Sequence, residues 1–375
     1  MHIVFVIANE SSVPYFNWFA DEARNHPDVK FTFVALYGKR PAMLDEMPEK
    51  GFDAHWFEFD PSNRKSGMVR NLFRLYKLFR KIKPDVVHTH LFDDSVPGML
   101  AARLAGVKRR VITKQDTTYH WYYAPKWVWF DKFNNWNATH VHAVATENER
   151  FILENEKAPR EKVHLVRNGF PYDLMTASKQ EHIDEIKREY GMDGRFVVGT
   201  VARYIHWKGH HLIIEAAKEI AKKHPEILFV WAGSDGGSGY KDELQKMVDD
   251  AGLSGNITLL GWIDRFKMPS LYKCMDAYLH PAVREPFGFA ISEAFMNGVA
   301  VAATKTGSTD LVTHLENAYL LEMDSVDDIV KAISMFIEDP EKRKAIADAG
   351  HEHALEHLQF KNMWDGHMGM YEGRG

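Results

Sequence analysis

His280-Pro-Ala-Val-Arg-Glu-Pro-Phe-Gly-Phe-Ala-Ile-Ser-Glu293 places two carboxylates, Glu285 and Glu293, on either side of a Phe-Gly-Phe turn. An apolar run from Asp276 to His280 leads into it, and Ala-Ile-Ser-Glu-Ala-Phe-Met continues with helical composition. The segment therefore reads as a strand passing into a helix. The first N–H groups of a helix have no partner inside it, so such a junction points donors at whatever lies over its start. Gly288 removes the Cβ that would hold a ligand away from that backbone. Carboxylates accept hydrogen bonds from hydroxyls, and N–H groups suit phosphate oxygens.

A second half of the constellation lies upstream. Arg195-Phe-Val-Val-Gly-Thr-Val-Ala-Arg203 is a β-rich run, followed by Tyr-Ile-His-Trp-Lys208-Gly209. His210 to Lys223 then carries apolar residues at Leu212, Ile213, Ala216, Ala217 and Ile220, which is helical spacing. Arg203 and Lys208 thus sit in a loop at the carboxyl end of a strand, where open α/β sheets bind ligands. Arg offers a planar fork to phosphate oxygens and Lys a point charge. Hydroxyl acceptors, phosphate donors and two cations together suit a nucleotide sugar.

These motifs resemble those of the family 4 glycosyltransferases. The matching pieces are Ala202-Arg203 with Lys208-Gly209, Ala232-Gly233-Ser-Asp-Gly-Gly237, Leu260-Gly261-Trp262, the Glu285/Glu293 pair, and Asn168-Gly169 at a domain junction. The resemblance implies an α/β protein of GT-B fold, with two Rossmann-like domains facing a central cleft. It implies transfer from a nucleotide-diphosphate sugar with retention at C1, in cell-surface polysaccharide or glycolipid synthesis. Carried onto this chain, Arg203 and Lys208 would stabilise the leaving diphosphate electrostatically. Glu285 would hold the donor sugar's hydroxyls and Glu293 the ribose. The amides of Phe287, Gly288, Phe289 and Ala290 would bond sugar and diphosphate, and the base would lie near Gly233, Trp262 and Ile263. For Trp262, partly buried packing is the plainer expectation and stacking the alternative.

The 375 residues allow two domains of ordinary size. Hydrophobic content of 45% with 26% charged residues suits a soluble protein with real cores. No stretch approaches the ~20 apolar residues of a membrane span, and the start lacks the basic flank of a signal peptide. One cysteine, Cys274, excludes an internal disulfide, fits a reducing compartment and reads as a small core residue. The expected location is cytoplasmic, with possible residence at the inner face of the cytoplasmic membrane. Residues 1–170 carry five more cations than anions, and the remainder ten more anions than cations. That asymmetry suits an anionic lipid or acceptor, or is ordinary surface variation.

Strand-like and helix-like runs alternate through both halves, which means parallel sheets with covering helices. Strands are expected at His2–Ala8, Lys30–Leu36, His55–Phe59, Asp85–His88, Arg110–Thr113 and His140–Ala145, and again at Phe196–Val201, Leu228–Ala232, Ile257–Leu260, Ala277–Leu279, Val299–Ala303 and Ala318–Leu321. Helical patterns cover Tyr15–Asn25, Met68–Ile82, Gly98–Ala105, Tyr240–Ala251 and Asp327–Glu338. The resemblance implies an acceptor-binding domain at 1–170 and a nucleotide-sugar-binding domain at 171–357, with a helix at about 358–375 packing back on the first.

The first half departs from the family pattern. A Gly-Gly pair is replaced by Asn9-Glu-Ser-Ser-Val-Pro14, and a family histidine is displaced in Lys114-Gln-Asp-Thr-Thr-Tyr-His120. Gln115, Asp116 and His120 are the acceptor-side candidates. The later Thr306-Gly-Ser-Thr-Asp310 is also altered. No Asp-x-Asp motif follows a strand, so no metal and no other cofactor is expected. His88-Thr-His90 could place two rings on one strand face, with Asp93 and Asp94 nearby, as a minor metal reading. Tyr119–Phe130 is densely aromatic and reads either as packing, favoured for Trp127–Phe130, or as an interfacial or acceptor platform. Met68–Ile82 is basic and amphipathic, expected of a surface helix, with contact to an anionic membrane the second reading. The partners expected are a nucleotide sugar and a saccharide or lipid-linked acceptor, not nucleic acid. Two other functions share these residues: a sugar-nucleotide epimerase or glycoside phosphorylase, and a non-catalytic sugar-nucleotide-binding partner.

Overall fold

Strands form where β-branched and aromatic residues run together and both faces are covered. Ile3, Val4, Phe5 and Val6 are wholly buried, as continuous apolar strands of a parallel sheet must be. The computed structural model describes residues 1–8, 14–115, 119–306 and 310–374. The chain divides into two compact units, Met1–Asn168 with Met363–Gly375, and Gly169–Asn362.

The first unit is built on β1 (His2–Ile7), β2 (Lys30–Tyr37), β3 (Asp53–Glu58), β4 (Val86–Thr89), β5 (Arg109–Lys114), β6 (His140–Ala143) and β7 (Val163–Leu165). Their order is β3-β2-β1-β4-β5-β6-β7, and every pairing is parallel. The second unit contains β8 (Phe196–Val201), β9 (Ile227–Ala232), β10 (Ile257–Gly261), β11 (Ala277–His280), β12 (Ala300–Thr304) and β13 (Tyr319–Leu321). Its order, β10-β9-β8-β11-β12-β13, repeats the scheme, again wholly parallel. Both sheets reverse direction of growth beside their first strand, which makes each a doubly wound Rossmann-like sheet with one switch point.

Twelve strands stand where the sequence puts them. β7 is the addition, a three-residue edge strand paired with β6. The helix expected at Gly98–Ala105 begins at Phe92. Asp94 explains the longer helix. Its buried carboxylate accepts from the N–H groups of Ala8, His90 and Leu91 at 2.8–3.1 Å, so it ties the ends of β1 and β4 together while capping the helix start. The tail is the helix Phe360–Glu372. From Met363 onward it belongs to the first unit: Trp364 packs on Phe19 and Phe31, and Tyr371 bonds His88. The division after Asn168, with return at Met363, replaces the boundaries at 170 and 358.

Candidate functional site

The two segments singled out in the second unit leave β8 and β11, the adjacent strands that straddle its switch point. The chain exits β8 toward β9 and exits β11 toward β12, so the loops diverge and open a crevice above the strand ends. Backbone hydrogen bonds lock four of these loops together. Tyr204 N–H donates to the Ser234 carbonyl (3.0 Å), Gly233 N–H to Gly261 (2.8 Å), and Val283 N–H to Trp207 (2.8 Å). Two glycines permit the approach. A Cβ on Gly233 would lie 1.9 Å from the Ala202 carbonyl oxygen, and one on Gly209, whose φ is +77°, would lie 2.2 Å from that of Pro281. Tyr204 completes the knot, donating to the Trp231 carbonyl (2.6 Å) and accepting from Gly261 N–H (3.1 Å).

Glu285 lies at the centre of a dense set of donors. Its Oε2 is 2.7 Å from Lys208 Nζ and 2.8 Å from His280 Nε2, and its Oε1 accepts from Gly288 N–H at 3.1 Å. Burial alone would raise this carboxyl's pKa. The His280 hydrogen bond and the Lys208 ammonium outweigh it and hold the group well below the usual carboxylate range. His280 is itself pushed down by burial, against the hydrogen bond and charge of Glu285, and its Nε2–H donates to that carboxylate. Lys208 and Glu285, expected on separate parts of a ligand, are thus already an ion pair with side chains 14% and 11% exposed. The Gly288 amide, expected to face a ligand, is taken by Glu285.

Glu293 lies one turn into the helix Phe289–Met296, whose N-cap Gly288 has φ +98°. It accepts from the Tyr272 hydroxyl at 2.9 Å. Burial raises its pKa against that bond and the charge of Arg265. Tyr272 packs on Tyr278, and Tyr278 on His280, so one row of rings joins the surroundings of the two glutamates. Phe287 is core, against Phe170, whereas Phe289 is 43% exposed and Ala290 half-buried at the helix start. Their amides belong to the donors that a helix start leaves free. Arg203 is exposed, and among the described residues its guanidinium has neither hydrogen bond nor ion pair. Trp262 is 71% exposed beside half-buried Ile263, so the packing expected of its ring is not what holds it.

In the first unit, His120 lines a cavity of about 620 Å³ with Arg64, Phe92, Asp93, Lys126 and Trp127. Its Nδ1 is 2.8 Å from Asp131, which also meets buried Lys114, itself paired with Glu156. Burial would raise the Asp131 carboxyl; the His120 hydrogen bond and Lys114 bring it below its ordinary value. Arg64 and Asp93 face each other at 2.9 Å within the same wall. Gln115 is half-buried just past β5, and Asp116 lies outside the described residues, as do residues 9–13 and 307–309. No local pattern joins Arg64 or Asp93 to His120; only the packing of their helices brings them together. Around them, Trp127 and Phe130 pack as expected, but Trp129 is 57% exposed.

His88, His142 and His367 place one ring nitrogen each within 4.8 Å of the others, and are the candidate metal ligands among the described residues. Hydrogen-bond bookkeeping assigns those nitrogens elsewhere. His142 Nε2 faces the Val166 carbonyl (2.7 Å) and must donate, so its Nδ1 accepts from Thr113 Oγ1 (2.8 Å). His88 Nε2 then donates to Thr113 (2.6 Å), and its Nδ1 accepts from Tyr371 (2.5 Å). His367 donates from Nδ1 to Met363 and faces Tyr15 with Nε2. The result is a one-directional relay of neutral imidazoles. His90, the other half of the His-x-His pair, stacks on His88 with neither ring nitrogen partnered.

Residues 14–169 match the glycosyl transferase 4-like domain, and residues 182–353 match the glycosyl transferases group 1 domain. The UDP-Gal:alpha-D-GlcNAc-diphosphoundecaprenol alpha-1,3-galactosyltransferase of Escherichia coli is 27% identical over 283 residues, covering 72% of this chain and 71% of its own. The 2-deoxystreptamine glucosyltransferase of Streptomyces kanamyceticus is 25% identical and covers 74% of each. Anabaena HepE in complex with UDP superposes over 100% of both chains with TM-score 0.85 at 21% identity. Sucrose-phosphate synthase from Thermosynechococcus elongatus gives TM-score 0.83 at 16% identity, over 99% of this chain and 98% of its own. At those identities the two structures speak for the fold. With both domain families matched in order along two Rossmann-like units, the chain belongs to the family 4 type glycosyltransferases and has the GT-B fold.

Proposed function

We propose that the protein transfers a sugar from a nucleoside-diphosphate sugar to a saccharide or lipid-linked acceptor, with retention at C1. The observation that carries this reading is the switch-point crevice of the second unit. There an exposed, unpartnered Arg203 stands in the same loop as Lys208, over strands whose neighbours carry the Glu285 and Glu293 helix start. As the C1–O bond breaks, negative charge grows on the diphosphate. Arg203, Lys208 and the Phe289 and Ala290 amides are preorganised donors for it, so the barrier falls without solvent reorganisation. Glu285 takes the sugar's hydroxyls and Glu293 the ribose diol. Gly233 and Trp262-Ile263 take the base. Arg203 and Lys208 fill the role of a divalent metal, so turnover should survive EDTA.

On the acceptor side the proposal places the cavity around His120, Arg64 and Asp93. An aromatic wall with planar polar groups suits a saccharide. The E. coli relative's name specifies a diphosphoundecaprenol-linked acceptor. A membrane-bound acceptor is supported by the helix Arg64–Ile82, where Val69 and Phe73 are exposed among Arg70, Arg74, Lys77, Arg80 and Lys81, and by exposed Trp129 and Trp136. No described helix is long and apolar enough to cross a membrane, so we propose peripheral contact with an anionic cytoplasmic surface.

The test is acceptor-dependent release of nucleoside diphosphate from a panel of nucleotide sugars, with product anomer read by NMR. Acceptor-dependent release with retained anomer supports transfer. Conversion without acceptor, or with phosphate alone, would replace it by an epimerase or phosphorylase.

A further inference from the structure

We infer that His280 is a positioning residue for the donor sugar: its imidazole, at the end of β11, fixes the Glu285 carboxylate so that a single acceptor site, on Oε1, faces the sugar. The inference rests on the proposed transferase reading and goes beyond it, since nothing in the motif assigns a role to this histidine.

His280 is held from several sides. It is the last residue of β11, 3% exposed. Its carbonyl accepts from Thr304 Oγ1 at the end of β12 (3.3 Å), its ring stacks with Tyr278, and its Nδ1 lies 3.1 Å from the Tyr278 hydroxyl. That hydroxyl also reaches the Val201 carbonyl at the end of β8, 3.2 Å away. Three adjacent strands thus fix the ring. An ionised carboxylate only accepts, so Nε2 must carry the proton that meets Glu285.

Counting lone pairs gives the consequence. A carboxylate has about four acceptor sites. On Oε2, Lys208 and His280 occupy both; on Oε1, Gly288 N–H occupies one. One site remains. Without His280 the carboxylate keeps only the Lys208 ammonium on Oε2 and one backbone amide on Oε1. The Lys208 ammonium, with one N–H on Glu285, keeps two donors for a phosphate. The row His280, Tyr278, Tyr272 continues to Glu293, so both glutamates are steadied from one side by rings of the same core.

The experiment compares wild type, H280A and H280Q, each also in an E285Q background. It reads binding of UDP and of the turned-over UDP-sugar by calorimetry, plus kcat and KM. UDP lacks the sugar that Glu285 contacts. H280A should therefore bind UDP as wild type does, bind the UDP-sugar roughly ten-fold more weakly, and lose roughly ten- to hundred-fold in kcat through misplacement of the reacting sugar. H280Q, whose amide N–H can replace Nε2–H, should recover most of both. In the E285Q background H280A should add little. Equal weakening of UDP and UDP-sugar, no recovery in H280Q, or an undiminished H280A effect with E285Q would each overturn the inference. A wild type that turns over no nucleotide sugar would instead remove the transferase reading, and this inference with it. Thermal unfolding of H280Q provides the folding control.

Discussion

Arg203 and Lys208 were expected to act together on the leaving diphosphate, yet their surroundings make them different experiments. Arg203 is exposed and unpartnered. R203A should leave stability within about 0.5 kcal/mol of wild type while lowering turnover by roughly 10²–10³. Denaturant unfolding and a donor-dependent rate check the two halves; a wild-type rate would remove Arg203 from the chemistry. Lys208 instead neutralises a carboxylate with little solvent contact. K208A should lower turnover similarly and also destabilise by about 3–5 kcal/mol, because it strands a buried charge. E285Q in the K208A background should recover part of that stability. These carboxylates and cations were legible because charged residues flanking glycine at strand ends are rare patterns. Their mutual pairing was not, since an ion pair 77 residues apart leaves no local signature.

The strand-end loops of the second unit act as one element. Gly233 has no room for a side chain: its added Cβ would enter the Ala202 carbonyl, at the point where the loops after β8, β9 and β10 are bonded together. G233A should cost about 1–3 kcal/mol in overpacking and weaken nucleotide binding as well, measured by thermal shift with and without UDP. In the first unit, the apolar face expected along Met68–Ile82 was Leu72, Phe73, Tyr76 and Phe79; Phe79 is buried and Leu72 and Tyr76 are half-buried, but the buried stripe runs through Met68, Leu75 and Leu78 instead. Phe73 is 59% exposed, because the stripe that meets the helix Phe92–Ala105 is narrower than the apolar pattern. Sequence cannot show how wide a face the neighbour will cover. If the uncovered part meets lipid, replacing Phe73, Trp129 and Trp136 with Ser should reduce sedimentation with phosphatidylglycerol vesicles several-fold. Turnover of a soluble acceptor analogue should be unchanged.

In the first unit as a whole, four buried histidines and two buried tyrosines bind the returning C-terminal helix to the sheet. Burial holds His88, His90 and His367 well below the ordinary imidazole value, and His142 at about 4. The unfolded chain takes up protons on these rings as pH falls below about 6.5, whereas the folded chain does not. Stability must therefore fall with decreasing pH, by about 1.4 kcal/mol per pH unit for each ring, from about 6.5 down toward the folded values. Midpoints of urea unfolding between pH 7.5 and 5 test this; a flat profile would mean that the rings are not held neutral. T113V, which deletes the hydroxyl between His88 and His142, should cost about 1–3 kcal/mol at neutral pH.

The alternation of apolar strands and amphipathic helices by itself determined two parallel α/β sheets, since that periodicity is local and allows few other packings. Strand-end glycines and charges likewise marked the second unit's crevice from sequence, because backbone approach and phosphate affinity are properties of single residues. Three features needed the folded chain. These are the His280 imidazole behind Glu285, the relay that fastens the last helix, and the cavity joining Arg64 and Asp93 to His120. Each depends on which side chains meet across strands or helices far apart in sequence, and only tertiary packing sets those contacts.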